Sequence, residues 1–455
     1  MQMALSKNAV EFAFRQTSDI VCRFSLHYET AENKQSSEFE NSCGCLFYRE
    51  VFMGFIRTEL KKIFVCIFTV LFFALNAEQM YSPSWGYSLD LPEGFGLTQH
   101  EGSSRYLFQH SVFPVDLHIA LYKKEKFENV QKTSEHIFSQ FSEIKLTHKD
   151  IPFLWRNKTA LLSNVDFMYS PSKDYKPKEL LGWLLILELP DNSGWLVLFS
   201  YSDKKDSTNC EPVIISALDS VFTDIMSYLE PGPVTAALYP KTGEKEINYT
   251  FNNKKIKFTV DNSDAEANRS VIDREFKLLT SYLNNPNLTE AWKRYYRIIF
   301  RDAWSRIYPA SAAIQSAFSF YGNEGAEKAS KELLLFVQDF KYERNHQGSD
   351  FLNLPEAFLE KRGDCDSRAL LMVLILKQMN IDAVLLVSGT KSHALAGTDC
   401  GGSGACFTHN GKNYLLGETT AHVPIGEIAE EMSNPEDWFA VDFYIDENSV
   451  KKEAE

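Results

Sequence analysis

Cys365, His393 and Glu418 are the residues of this chain whose types and order could carry covalent chemistry. Cys365 sits in "KRGDCDSRALL", a charged turn before a very apolar stretch that reads as a helix from Asp366 to about Met379. A cysteine at or just before a helix N-terminus meets unpaired backbone N–H groups and the helix dipole, which favour thiolate over thiol. The flanking Asp364 and Asp366 oppose that effect unless they turn outward or cap the helix. A thiol nucleophile also needs a base within hydrogen-bonding reach and an acceptor that orients the base. "SHALAG" supplies His393 beyond the strand-like run "IDAVLLVS", and "YLLGETT" supplies Glu418 on the next strand-like segment. If those strands are neighbours, thiol, imidazole and carboxylate converge at one end of a sheet, against the helix tip. His409, in a turn, and His422, just past "ETTA", are the rival histidines.

The elements that must position these groups belong to a chain of 455 residues, long enough for two or three domains. Hydrophobic content of 44% and aromatic content of 13% suit core-forming domains and argue against disorder. From about 80 to 230, "GYSLDL", "RYLFQH", "VDLHIALY", "TALLSNVDFM", "LLGWLLILEL" and "WLVLFSYS" read as strands. Helical patterns near 129–142 and 211–229 interrupt them, so an antiparallel sheet covered on one side by helices is expected, an α+β architecture. Residues 231–262 read as a Pro/Gly-rich linker followed by a hairpin, "INYTFNNKKIKFTV", around an Asn-Asn turn. Helical patterns follow at about 263–284, 289–307 and 326–341, and a short helix at "LPEAFLEKR" precedes the cysteine turn. Trp292, Tyr295, Tyr296, Phe300 and Trp304 recur at helical spacing and read as core.

Two resemblances add to this. "WGYSLDLPEGF" and the strand order after it resemble the PsbP/MOG1/DcrB-like domains, which implies a small α/β scaffold used for binding and carries over no active site. The run from "FVQDFKYERNHQG" through "GDC", "SHALAG" and "ETTAHVPIGEI" resembles the transglutaminase-like superfamily, in the microbial branch with GDC, HA and ETT motifs. That resemblance implies a papain/transglutaminase-like α+β domain within 263–450. It makes Cys365 the nucleophile, His393 the general base and acid, and Glu418 the group that orients the imidazole. The implied reaction is acyl transfer: the thiolate attacks an amide or peptide carbonyl, and the thioester is resolved by water or by a second amine. One oxyanion donor is the Cys365 backbone N–H at the helix tip, and a side-chain donor from "NHQG" would be His346 or Gln347. The branch usually has "GDCED" where this chain has "GDCDS", so Ser367 stands in place of an acid. The competing expectation is a non-catalytic cell-envelope protein that uses the same fold to bind a peptide or partner.

Starting at Met53, "MGFIRTELKKIFVCIFTVLFFALNAEQ" has the layout of a secretory signal peptide over 53–77, with an uncleaved anchor as the alternative. The chain is therefore expected to be exported, periplasmic or secreted, with 1–52 a mis-called or disordered extension ahead of the true start. The exported part holds Cys210, Cys365, Cys400 and Cys406. Cys400 and Cys406 bracket "GGSGA" and either close on each other as a disulfide or remain two free thiols. No CxxC or HxxxH spacing occurs, and nothing in the motif set calls for a metal or organic cofactor, although calcium-dependent members of the superfamily exist. A net charge of −14 without any basic run excludes nucleic acid as a partner. The expected partners are a peptide or protein substrate and, through the front domain, a protein of the cell envelope. Asn157, Asn248, Asn268 and Asn287 stand in glycosylation sequons.

Overall fold

The computed structural model describes residues 80–141, 145–170, 176–318, 322–344 and 349–443. The expectations for 1–52 and 53–77, and for His346 and Gln347, lie outside those residues.

After a small antiparallel pair, β1 (Met80–Ser82) and β2 (Tyr87–Leu89), the front of the chain builds a seven-stranded antiparallel sheet. Its strands are β3 (Phe95–Glu101), β4 (Arg105–His110), β5 (Val115–Lys123), β6 (Leu146–Trp155), β7 (Lys158–Tyr169), β8 (Lys178–Glu188) and β9 (Gly194–Asp203). They lie in the order β3-β4-β5-β9-β8-β7-β6. Pro152 falls on β6, an edge strand, where its missing N–H breaks no ladder bond. Helix α1 (Val130–Ser139) follows β5, and α2 (Ser207–Asp219) follows β9. One face of the sheet, with Leu117, Ile119, Leu196 and Leu198, is packed with Val213, Ile214, Ala217 and Leu218 of α2 in one core. Phe199 points to the other face, where Phe141, just after α1, meets it and Phe167 edge-on. Both faces are thus covered, where cover on one side was expected, because alternate residues of β9 are apolar on both sides.

The stretch expected to be a linker is partly a packed helix. After α3 (Ile225–Tyr228), α4 (Pro233–Leu238) starts on Pro233 and buries Val234 and Thr235. Asp219 holds it there by accepting from the Thr235 backbone N–H at 2.9 Å and hydroxyl at 2.6 Å. The hairpin β10 (Glu244–Phe251) and β11 (Lys254–Asp261) turns at Asn252 and Asn253, both at positive φ, as a two-residue I′ turn requires.

Helices α5 (Asp264–Thr280), α6 (Leu288–Phe318) and α7 (Gly322–Gln338) come next. Helix α6 continues past the expected 307 and through Pro309, because Ala310, Ile314 and Phe318 extend its buried face. Three arginines on α6 reach back into the front of the chain. Arg294 donates to the Asp90 carbonyl and the Glu275 carboxylate, and Arg297 forks onto the Asp90 carboxylate. Arg301 donates to the carbonyls of Asp219, Val221 and Ser227. Asn268, one of the sequon residues, is fully buried and bonded to Asp302 and to the Leu354 N–H, so it is no glycan acceptor in the fold.

The remainder is a layer of helices on a second sheet. β12 (Lys341–Tyr342) pairs in parallel with β13 (Arg362–Gly363), and α8 (Leu354–Glu360) lies between them in sequence. Helix α9 (Cys365–Gln378) is buried all round from Ser367 to Lys377, the mark of a central helix. β14 (Ala383–Ser388), β15 (His393–Thr398), β16 (Cys406–His409), β17 (Lys412–Gly417) and β18 (Phe439–Val441) form an antiparallel sheet in the order β16-β17-β15-β14-β18. Leu385, Val387, Ala394, Ala396 and Leu415 share the main core with α9. Val384, Leu386, Leu395, Tyr414 and Leu416 form a second core with Trp438 on the other face. No helix among the described residues is long and apolar enough to cross a membrane.

Glu93, buried in the front of the chain, has a side-chain oxygen with no hydrogen-bond partner. Burial outweighs the pull of Arg294 and raises its carboxyl from 4.5 to about 7. The folded state thus holds a proton the unfolded chain has released, so stability falls as pH rises from about 4.5 through 7. Glu93→Gln is expected to raise stability at pH 8 by roughly 1–3 kcal/mol and to leave it unchanged below pH 4.5, as read by thermal unfolding across pH.

Candidate functional site

Cys365 is the first residue of α9, and Asp364 is its N-cap. The Asp364 carboxylate accepts from the Ser367 backbone N–H at 2.9 Å and from the Ser367 hydroxyl. That hydroxyl in turn accepts from the Leu352 N–H at 2.8 Å, so Ser367 knots the cap to the segment before α8. The first-turn N–H groups of Cys365 and Asp366 have no carbonyl four residues back to bond. They are the donors this helix tip offers to an oxyanion.

His393 opens β15, the strand paired with both β14 and β17. Gly417 pairs with Ala396, so the chain leaving β17 runs alongside the start of β15 and brings Glu418 to His393. His393 Nε2 and Glu418 Oε2 are 2.8 Å apart. The other carboxylate oxygen, Oε1, accepts from the Thr420 N–H at 2.7 Å and its hydroxyl at 2.6 Å. Burial alone would raise the Glu418 carboxyl; the His393 partnership first, and then Thr420, bring it below its ordinary value. Glu418 is therefore held ionised and aimed at the imidazole.

Two buried side chains that the sequence reading did not single out fix the backbone here. Arg368, 2% exposed, donates to the carbonyls of Gly363 at 3.0 Å, Thr419 at 3.1 Å and Phe340. Gln338 Nε2 donates to the Glu418 carbonyl at 2.8 Å and the Val423 carbonyl at 2.9 Å. One guanidinium thus ties the cysteine turn, the end of α7 and the "ETT" segment together. A buried arginine at the fourth position of an apolar helix was the only sequence signal for it.

The thiol itself is 3% exposed and lies against the first residues of β15. Burial, then the charges of Asp366 and Asp364, push it well above its ordinary range, while the Ala394 backbone N–H pulls the other way. Its hydrogen bond goes to Asp366 Oδ1 at 3.4 Å, and Asp366 Oδ2 accepts from the Tyr296 hydroxyl at 2.9 Å. No hydrogen bond joins the sulfur to the imidazole. Arg344 and Tyr342, from the β12 segment, line the same corner, with Arg344 Nε donating to the Tyr342 hydroxyl at 3.1 Å.

The rival histidines lie elsewhere: His409 pairs with Asp442 at 2.8 Å, and His422 stands 4.0 Å from Asp339 on an exposed surface. Cys400 and Cys406 are both free thiols. Cys400 is buried beside the Ser330 and Thr398 hydroxyls, whereas Cys406 is exposed on the edge strand β16. The glycine loop between them is held by Gly404, where a side chain would collide with the Gly426 backbone, rather than by a sulfur bridge. Among the described residues no cluster of His, Cys, Asp and Glu could hold a metal ion.

Arg368→Met leaves the buried Phe340 and Thr419 carbonyls without a donor, the Gly363 carbonyl keeping the Glu343 N–H, and is expected to cost about 2–5 kcal/mol in denaturant unfolding. Amide exchange should then quicken at 418–420 as well as in the cysteine turn; protection unchanged at 418–420 would show that the clamp does not hold the acid.

No known family model matches the chain, and no curated protein matches it. Among solved structures it is similar to the Ran-binding protein Mog1p of Saccharomyces cerevisiae, at 7% identity, over 33% of this chain and 96% of that one, with a TM-score of 0.25. It is similar to cyanobacterial PsbP from Synechocystis at 9% identity, over 34% and 98%, with a TM-score of 0.26. The likeness to these two is weak and lies over the N-terminal part of the chain. A protein of Bacteroides thetaiotaomicron matches at 8% identity over 74% of this chain and 89% of that one, with a TM-score of 0.22. Likeness at these scores carries no argument about the fold or the activity of this chain.

Proposed function

We propose that the chain is an exported cysteine acyltransferase of transglutaminase-like type that acts on amide or peptide bonds, chiefly as a hydrolase. The observation that carries this reading is the 2.8 Å pair of His393 with an ionised Glu418, set at the start of the strand that abuts Cys365. In the proposed reaction His393 takes the thiol proton and Cys365 Sγ attacks the carbonyl carbon. The oxyanion is met by the helix-tip N–H groups. Collapse expels the amine, which takes the proton back from the imidazole, and a thioester remains. Water then repeats the sequence with His393 again as base. Glu418 keeps the imidazole oriented and stabilises the cation formed on it. Neither step requires a cofactor.

A second reading, a non-catalytic envelope protein that binds a peptide or partner, is favoured by one specific feature. The thiol is buried and held above its ordinary range, which suppresses the thiolate.

An activated acyl ester separates the two. Intact mass after brief exposure is expected to show one acyl group, mapped to Cys365 and absent in Cys365→Ser. His393→Ala should slow acylation by about 100-fold or more, and Glu418→Gln by a smaller factor. Acylation of Cys365 at the rate of a free peptide thiol, indifferent to His393→Ala, would exclude the enzyme reading.

A further inference from the structure

We propose that Asp366 is a positioning residue that captures the Cys365 thiol proton and holds the nucleophile in reserve, so that Cys365 reaches His393 only when this hydrogen bond is broken. The proposal rests on the acyl-transfer reading of the same site.

Three observations carry it. The thiol donates to Asp366 Oδ1 at 3.4 Å, and it makes no hydrogen bond to the imidazole that should receive its proton. The carboxylate is not free to swing aside, because the Tyr296 hydroxyl holds Oδ2 at 2.9 Å. Tyr296 is itself fully buried, stacked on Trp292 at 5.7 Å and edge-on to Tyr295 at 5.1 Å. A first-turn acid is common at a helix N-terminus because the dipole favours it. That preference does not explain why this one is aimed at the thiol and fixed from behind by a buried phenol.

The groups facing Asp366 come from each neighbouring element. They are Cys365 and Asp364 from its own turn, Tyr296 from α6, His393 from β15 and Arg344 from the segment after β12. Asp364 is committed to capping Ser367, so Asp366 is the acid that addresses the sulfur directly. Burial raises the Asp366 carboxyl, while the Tyr296 and Cys365 hydrogen bonds, His393 and Arg344 favour its ionised form. With that form, while the hydrogen bond stands, the proton on Sγ is shared with a carboxylate oxygen, and ionising the thiol would place two negative charges in contact. When it is broken, the same proton passes from Sγ to the imidazole, and the Ala394 N–H already points at the sulfur to receive the thiolate. Breaking it is left to whatever enters the site, which couples activation to substrate.

The test is the pH profile of iodoacetamide alkylation at Cys365 in the full chain, with Cys365→Ser as the background from other thiols. The wild-type midpoint is expected above the ordinary thiol value of about 8.5. Asp366→Asn keeps the shape and the Tyr296 contact but removes the charge. It should move the midpoint down by a unit or more, which raises the rate at pH 7 about tenfold. Asp366→Ser should move it the same way. A wild-type midpoint at or below 8.5 would overturn the proposal without any variant, so a variant that fails to fold does not rescue it. An unchanged midpoint in folded Asp366→Asn, or a rate raised equally at every pH, would overturn it too. Failure of acyl transfer reads differently: no acyl adduct forms on Cys365, while the alkylation profile still answers to Asp366.

Discussion

The candidate site depends on one buried cation. Arg368 stands one turn into α9 and spends its guanidinium on three backbone carbonyls, from Phe340, Gly363 and Thr419. Those segments are far apart in sequence, and without the guanidinium the Phe340 and Thr419 carbonyls would be buried with no donor, at a cost of about 1–3 kcal/mol each. Because a guanidinium is planar, its donors fix direction as well as distance. The cysteine turn, the end of α7 and the strand exit that carries Glu418 are thereby held in one frame. Gln338 and Thr420 then refine that frame, one on the Glu418 backbone and one on its carboxylate. His393 needs only to open β15 to meet it.

Within that frame the electrostatics pull in two directions. The helix tip, the Ala394 N–H and the nearby Arg344 and Arg368 favour a thiolate at Cys365. Burial and the carboxylates of Asp366 and Asp364 disfavour it, and they prevail. The imidazole–carboxylate pair, by contrast, is complete: both Glu418 oxygens are bonded and the acid is held ionised. A complete imidazole–carboxylate pair thus stands beside a thiol that burial and two carboxylates hold neutral.

Much of this was legible in the sequence, and the rest was not for definable reasons. Helix α9 and strand β14 are near-continuous apolar runs, and the Asn252–Asn253 turn follows from local chemistry alone. The placement of Cys365 at a helix tip, with His393 and Glu418 at strand ends, follows from segment order. What could not be read were contacts whose partners are backbone atoms distant in sequence. The bonds of Arg368 to three carbonyls leave no trace in residue spacing. The reach of Arg294, Arg297 and Arg301 into the front of the chain is of the same kind, and so is the hold of Asp219 on Thr235, which packs a helix where a linker was expected. The flanking aspartates read as adverse to a thiolate from their charge alone, but residue spacing hides their division of labour. Asp364 caps the helix through Ser367, and Asp366 is directed at the sulfur by Tyr296, some 70 positions earlier.

We propose that Cys365, His393 and Glu418 act as one acyl-transfer unit. A crystal structure of the full chain treated with a small peptide aldehyde tests it most directly. A hemithioacetal on Cys365 Sγ is expected, its oxygen bonded to the N–H groups of the α9 tip. The sulfur should have left Asp366, and His393, still paired with Glu418, should contact the adduct. An unmodified thiol that keeps its bond to Asp366 beside bound aldehyde would contradict it.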